Sequence, residues 1–249
     1  MKAISELAHK VTITHVLGIR MRDFDLLGEL LDKGARMHCI KHCGVSIMSG
    51  PDMDRRSRVN KFLRRINRGQ LKVLELDFRR FLAWWKIDRN ILVTFTREIL
   101  HSISSIIIHT PFHWVNLARQ LDVLFDFLCL LPTATITDIT LHLYISCDGL
   151  WRNSLESELI KCDWSGLISA IDKLEKFKQL TLYIALQDQF EETFDEPPVE
   201  RFSGVGWFNP LQIFEDMKSY VEGKLLNNLR PTSSLCILRQ RSTSPTLMV

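Results

Sequence analysis

The chain of 249 residues is 46% hydrophobic and 24% charged, a composition that is typical of a globular domain and excludes a disordered protein. No apolar run approaches the roughly 20 residues of a membrane span, and residues 1–6 lack the apolar segment of a secretory signal. We therefore expect an intracellular protein, cytoplasmic or nuclear, with no membrane contact. Six cysteines are too sparse for a disulfide framework, so we expect reduced thiols.

The net charge of +3 is unevenly distributed along the chain. Residues 1–110 contain 20 Lys and Arg against 11 Asp and Glu, whereas residues 111–249 contain 12 against 18. Such a chain could steer a charged partner. We interpret most of these charges as solvated surface.

A hydrophobic frame, apolar-x-x-apolar-x-apolar, recurs along the chain and predicts a series of short buried strands. Weaker copies at Val45/Ile47 and Leu235/Ile237 extend the series at its two ends. The four clear copies begin at Leu71, Ile103, Ile136 and Phe177, at intervals of 32, 33 and 41 residues.

Helical patterns separate these strands. Residues 59–66 form an apolar stripe whose other side is basic. A long helix is predicted over residues 115–131, ended by Pro132. The next helix is capped by Asp163 or Ser165, and another begins at Pro210. The alternation of strands and helices predicts an α/β fold with a parallel sheet.

We predict a single α/β repeat domain over residues 1–238. Residues 1–40 are assigned to an N-terminal capping region. Residues 187–209, which are acidic and broken by two prolines, are predicted to be a surface loop insertion. Residues 239–249, rich in Ser, Thr and Arg, are predicted to be a disordered tail.

Two architectures fit the alternation. One is an α/β solenoid, in which each unit stacks on its neighbours. The other is a doubly wound domain with a nucleotide site at the carboxyl ends of its strands, which calls for a Gly-rich turn after an early strand. Gly204-x-Gly206 instead follows the acidic loop, and no G-x-x-x-x-G-K-[ST] pattern occurs. The solenoid is the favoured prediction.

The frame resembles the strand segment of leucine-rich repeats over about residues 40–240, which implies strands that line the concave side of a curved solenoid. The Asn or Cys usual in that family, three residues after the frame, is replaced by Arg79, Pro111, Tyr144 and Ala185. The units are also longer than the family's usual length of about 20–29 residues. The implied solenoid is therefore irregular.

Long units of this kind resemble the C-terminal region of fungal F-box-type proteins. The residues that carry this resemblance are Trp164-Ser165-Gly166-Leu167, followed by Phe177-Lys178-Gln179-Leu180. The resemblance implies a substrate-recognition region. Because residues 1–40 contain no F-box motif, it also implies a truncated or F-box-less relative in which ligase recruitment does not carry over.

Sequence signals for catalysis are missing. No Gly-x-Ser-x-Gly motif occurs, and no Cys or Ser has the context of an activated nucleophile. The segment His38-Cys39-x-x-His42-Cys43 crowds four possible zinc ligands into six residues with no second pair downstream, which favours an ordinary helix-to-strand junction. We predict no enzyme activity, no metal and no cofactor. The alternative is an α/β enzyme or nucleotide-binding domain.

Residues 55–72 contain eight Lys and Arg, which raises the possibility of nucleic-acid binding. The one aromatic residue there, Phe62, falls on the apolar stripe and is not available for base stacking. A solvated helix is the favoured interpretation, and nucleic-acid binding is a lesser alternative.

We predict a non-catalytic protein–protein interaction module that binds its partner on the concave strand face. Trp84 and Trp85 are adjacent and cannot both face inward from a regular element, which makes one exposed aromatic ring a candidate for partner binding. The favoured interpretation is that the rings pack over the ends of the strands. The predicted partner-binding residues are Glu75, Asp77, Ser105, His109, Asp138, Thr140, His142, Gln179, Thr181 and Tyr183.

Overall fold

The structure, a computed structural model, describes residues 15–19, 40–46, 70–79, 102–113, 116–146, 152–187 and 210–240. These residues form seven strands and four helices. The strands are β1 His15–Ile19, β2 His42–Ser46, β3 Val73–Asp77, β4 Ser105–His113, β5 Asp138–Ser146, β6 Gln179–Gln187 and β7 Ser234–Arg239. The helices are α1 Leu117–Leu128, α2 Arg152–Lys161, α3 Ser165–Asp172 and α4 Pro210–Leu225.

The seven strands form one parallel sheet and lie in it in chain order, from β1 to β7. The predicted α/β class and parallel sheet are confirmed. The order of the described strands does not reverse, so they form no switch point of the kind at which doubly wound sheets bind nucleotides. The weaker frame copies fall at β2, which contains Val45, and at β7, which contains Leu235 and Ile237, whereas Ile47 lies outside the described residues. Strand β1, within the region assigned to N-terminal capping, was not predicted.

The hydrophobic frame is in register across the sheet. Because side chains alternate along a strand, a frame repeated in register places all of its residues on one face. One row runs from β3 to β7 through Leu74, Ile106, Ile139, Leu180 and Leu235. The next runs through Leu76, Ile108, Leu141, Leu182 and Ile237. All of these except the half-buried Leu235 are buried in one hydrophobic core.

Strands β3 to β6 begin with the same backbone arrangement. The N–H groups of two consecutive residues at the start of each strand donate to one carbonyl at the start of the preceding strand. The accepting carbonyls belong to Lys41, Lys72, Ser104 and Thr137. Lys178 accepts one bond of this kind from Ser234 of β7. The sheet is thus built from units whose strands begin in equivalent ways.

The helices cover the frame side of the sheet. The buried side chains of α1, α3 and α4 belong to the same hydrophobic cluster as the frame residues. Helix α1 ends at Leu128, three residues before the predicted end. At the start of α3, the N-cap residue is Trp164 rather than the predicted Asp163 or Ser165, and it makes no side-chain capping bond. The Asp163 carboxylate, one position earlier, accepts the Ser165 N–H at 3.0 Å. Helix α4 begins at Pro210, as predicted, whereas α2 was not predicted.

The predicted tail began too early. Arg239 is the last residue of β7, and the Gln240 N–H donates to the Ile184 carbonyl at 3.0 Å, so the pairing with β6 continues past residue 238. Several other predictions lie outside the described residues: the basic helix at 59–66, Trp84 and Trp85, residues 188–209 of the acidic loop and residues 241–249. None of the described helices has the length and hydropathy needed to cross a membrane.

Candidate interaction site on the polar face of the sheet

The side of the sheet opposite to the helices carries mostly polar and aromatic side chains, with Val73, Ile107 and Leu238 among them, and we call it the polar face. All ten residues predicted to bind a partner lie on it, because they occupy alternate positions in strands whose register is aligned. The candidate site comprises those ten residues together with His42, Arg79, Tyr144 and Gln240.

Three aromatic rings are stacked across the middle of the polar face. His109, His142 and Tyr183 are directly paired in the register of β4, β5 and β6. The centroids of the two histidine rings are 4.2 Å apart, and those of His142 and Tyr183 are 4.4 Å apart, with interplanar angles of 15° and 5°. Neighbouring strands lie about 4.8 Å apart, so the aligned register is what brings the rings into stacking distance.

Glu75 lies between two histidines of the adjacent strands. His42 Nε2 donates to Glu75 Oε2 at 3.1 Å, and His109 Nε2 lies 3.0 Å from Glu75 Oε1. The second contact is at ion-pair distance, although the ring is not aligned for a hydrogen bond. The pKa of Glu75 is lowered, chiefly by its polar contact with His109 and in spite of partial burial. Glu75 is therefore an ionised carboxylate at neutral pH.

Asp77 is held by Arg79, which follows β3. The Asp77 carboxylate accepts two hydrogen bonds from the guanidinium, at 3.0 and 2.8 Å, and one from the Arg79 N–H at 2.9 Å. Burial raises the pKa of Asp77, but the bonds from Arg79 outweigh it, and the net shift is downward. The guanidinium carbon also lies 5.3 Å from the centroid of the Tyr144 ring, a cation–π distance.

Gln240 joins the end of β7 to the centre of the polar face. Its Oε1 accepts a hydrogen bond from His142 Nδ1 at 3.0 Å, and its Nε2 donates to the Tyr144 hydroxyl at 3.3 Å. The Tyr144 hydroxyl lies 3.1 Å from His109 Nδ1. The position paired with Tyr144 on β6 is Ala185, whose short side chain allows the Gln240 amide to span that strand.

The half-buried His142 carries no charge at neutral pH. Burial lowers the pKa of its imidazole, and the nearby His109 and Arg79 act in the same direction. The hydrogen bond to Gln240 and the charge of Glu75 oppose this shift but do not cancel it.

The predicted site residues differ in their accessibility. His109 and Thr181 are buried, each with 9% of its surface exposed, so they do not offer a surface to a partner. His109 is enclosed by Glu75, His142 and Tyr144. Thr181 has a short side chain, which accepts a hydrogen bond from Gln179. The other eight residues are exposed or half-buried.

Sequence reasoning missed four members of the site. Tyr144 continues the alternation of the positions predicted on β5, so extension of that alternation by one step would have found it. His42 lies on β2, the strand of a weaker frame copy, on which no position was predicted. Arg79 follows β3, and Gln240 is 98 positions from His142. No local sequence signal identifies a contact at such a separation.

Two of the four residues considered as metal ligands, His38 and Cys39, lie outside the described residues, and the sheet separates the other two. His42 lies on the polar face, whereas the adjacent Cys43 is fully buried in the core, and burial raises the pKa of its thiol to about 12. The two side chains point to opposite faces and cannot ligate one ion. Among the described residues, no group of three or more His, Cys, Asp and Glu side chains is arranged to hold a metal.

Comparison of the chain with models of known protein families and with curated proteins finds no match.

Proposed function

We propose that the chain is an irregular solenoid of the leucine-rich-repeat type whose polar face is a concave surface that binds a protein partner without catalysis. The chain-order parallel sheet supports the solenoid, because each strand pairs with the strands of adjacent units. The backbone arrangement repeated at the start of β3 to β6 supports it further.

The observation that carries the proposed interaction is the stacked ring row ending in Tyr183. The Tyr183 ring is half-buried and stacked on His142, and its hydroxyl makes no hydrogen bond to any described residue. Tyr and Arg are enriched among the residues that dominate binding energy at protein interfaces. Side chains held on strands by their neighbours lose little conformational entropy on binding.

We further propose that the partner is a protein selected by this face, in the manner of a substrate-recognition region of F-box-type proteins. The long, irregular units and the Trp164–Leu167 segment are the features that support this kinship. In the fold, Trp164 packs its ring 5.7 Å from that of Phe125 and precedes α3, so it joins two helices.

Affinity capture with matched tyrosine variants tests the proposed function. Tyr183→Ala removes the ring from the polar face, and Tyr220→Ala removes a half-buried tyrosine from α4 on the helix side. We expect at least one protein to be recovered with the wild type and with Tyr220→Ala but to be depleted roughly 10-fold or more with Tyr183→Ala. Equal recovery with both variants, when circular dichroism shows both to be folded, would rule out the polar face as the binding surface.

A further inference from the structure

The direction of the hydrogen bonds determines the tautomer of His142. An amide oxygen can only accept, so His142 Nδ1 must carry a proton to donate to Gln240 Oε1. A neutral imidazole has a single N–H. His142 Nε2 is therefore a hydrogen-bond acceptor at neutral pH.

The rest of the network agrees with this assignment. The Gln240 amide nitrogen donates to the Tyr144 hydroxyl, whose own proton is then available to His109 Nδ1. His109 consequently carries its proton on Nε2, which faces the ionised Glu75. The reversed Gln240 amide would require Tyr144 to donate to the amide oxygen. His109 would then present a bare nitrogen to the carboxylate.

The acceptor atom of His142 is unpaired among the described residues. No described residue hydrogen-bonds its Nε2, and this atom is not among the buried unpaired polar atoms of the described chain, so it reaches the surface. The Tyr183 ring is stacked on the His142 ring, and the Tyr183 hydroxyl is likewise unpaired among the described residues. The acceptor nitrogen is thus available to a hydrogen-bond donor from outside the sheet.

The carboxylates of the polar face favour a cationic partner. Three carboxylates of the site, Glu75, Asp77 and Asp138, are opposed by one guanidinium, that of Arg79, which is already bonded to Asp77. Apart from the histidines, the charged side chains of the site therefore sum to a net negative charge.

We propose that the partner segment bound on the polar face presents a lysine or arginine side chain, which donates to the unprotonated Nε2 of His142. This inference rests on the proposed function and specifies the chemistry of the partner. Lys and Arg combine the donor that the acceptor nitrogen requires with the positive charge that the carboxylates of the polar face favour.

Acidification changes both the acceptor role of His142 Nε2 and the charge of the imidazole. Protonation of His142 converts Nε2 from an acceptor into a donor and places a positive charge against the stacked His109 ring. The groups that face His142 are His109 on β4, Tyr144 on its own strand, Tyr183 on β6 and Gln240 after β7, with Glu75 and Arg79 acting through space. Binding of the basic segment therefore weakens as the pH falls through the lowered pKa of His142, which lies below the ordinary histidine value of about 6.5.

Fluorescence anisotropy with two labelled peptides of equal length tests this proposal. One alternates lysine and alanine, and the other alternates glutamate and alanine. At low salt and about pH 8, we expect the lysine peptide to bind roughly 10-fold more tightly than the glutamate peptide. His142→Phe keeps a ring in the stack but removes the acceptor. This variant should lose roughly 10-fold in affinity for the lysine peptide and most of the pH dependence between about pH 8 and about pH 5.

Two further variants complete the test. Glu215→Gln removes a carboxylate from the exposed side of α4 and should bind as the wild type does, which controls for general attraction of the cationic peptide. Gln240→Met keeps the ring row intact but releases His142 Nδ1. Because the imidazole can then place its proton on either nitrogen, we expect a smaller loss of affinity, roughly 3-fold.

Three results would overturn the proposal of a basic partner segment. They are equal binding of the two peptides, no binding of either peptide, and a pH profile that is unchanged in His142→Phe. A captured partner that is lost with Tyr183→Ala but binds His142→Phe normally would also overturn it, while leaving the interaction face in place. Failure of the proposed function itself has a different signature, since no captured protein would then depend on Tyr183.

Discussion

Glu75 interacts electrostatically with a histidine on each side of it on the polar face. Its two carboxylate oxygens face histidines from the strands on either side, and only 26% of its side chain is exposed. A half-buried carboxylate in this position is stabilised in its ionised form by the partial positive charge on the N–H groups of the two imidazoles. Its lowered pKa therefore links the charge of this site to the stability of the fold.

We expect Glu75→Gln to lower the free energy of unfolding by about 1 kcal/mol at pH 7. A carboxylate whose pKa is lowered in the folded state contributes stability above its ordinary pKa of about 4.5, and that contribution disappears as the pH falls through the folded value. Urea denaturation at pH 7 and at about pH 3 measures the difference. The exposed Glu215 of α4 provides the matched variant, Glu215→Gln, with an expected effect near zero. A Glu75→Gln effect that is the same at both pH values would show that the contribution is not electrostatic.

Strand β5 packs against the hydrophobic core on one side and forms part of the polar face on the other. Leu141 is 1% exposed and packs in the core, whereas the adjacent Thr140 is half-buried on the polar face. Alternation of apolar and polar residues through Asp138–Ser146 is what allows the strand to face the helices on one side and a partner on the other.

Truncation of Leu141 and of Thr140 should lower the free energy of unfolding by different amounts. Leu141→Ala removes core packing and leaves a cavity, so we expect a loss of about 2–4 kcal/mol in the free energy of unfolding. Thr140→Ala should cost less than about 1 kcal/mol, because it removes little buried surface. Thermal or urea denaturation of the two variants measures both values. Similar losses for both variants would mean that the polar face is covered as deeply as the core.

At the scale of the molecule, the sheet is long in its centre and short at its start. Strands β4, β5 and β6 each have nine residues, whereas β1, β2 and β3 have five and β7 has six. In a chain-order sheet each strand is supported only by its immediate neighbours, and β1 and β7 each have one neighbour among the described strands.

Native-state hydrogen exchange should therefore show a gradient of protection. We expect amides of β5, which is paired along its whole length on both sides, to exchange most slowly. Amides of β1, whose register with β2 is interrupted, should exchange fastest. Uniform protection across all strands would indicate that the sheet unfolds as one cooperative unit.

Most of the parallel sheet could be predicted because the hydrophobic pattern that specifies each strand lies within the segment that forms that strand. The frame residues Leu74, Ile106, Ile139 and Leu180 stand at equivalent places in successive segments, and burial of such a pattern requires neighbouring strands in aligned register. Strand β1 lacks a clear copy of the frame, and helix α2 lacks a strong apolar stripe, so neither was predicted.

The sequence by itself determined which residues share a face, since alternation along a strand places Glu75, His109, His142 and Tyr183 on the side opposite to the frame. It could not determine which of them touch. Only the tertiary structure aligned the three rings, enclosed His109 and brought Gln240 across β6 to His142 and Tyr144. Those contacts depend on strand register and on residues far apart in the chain, whereas the hydrophobic pattern is a property of each segment alone.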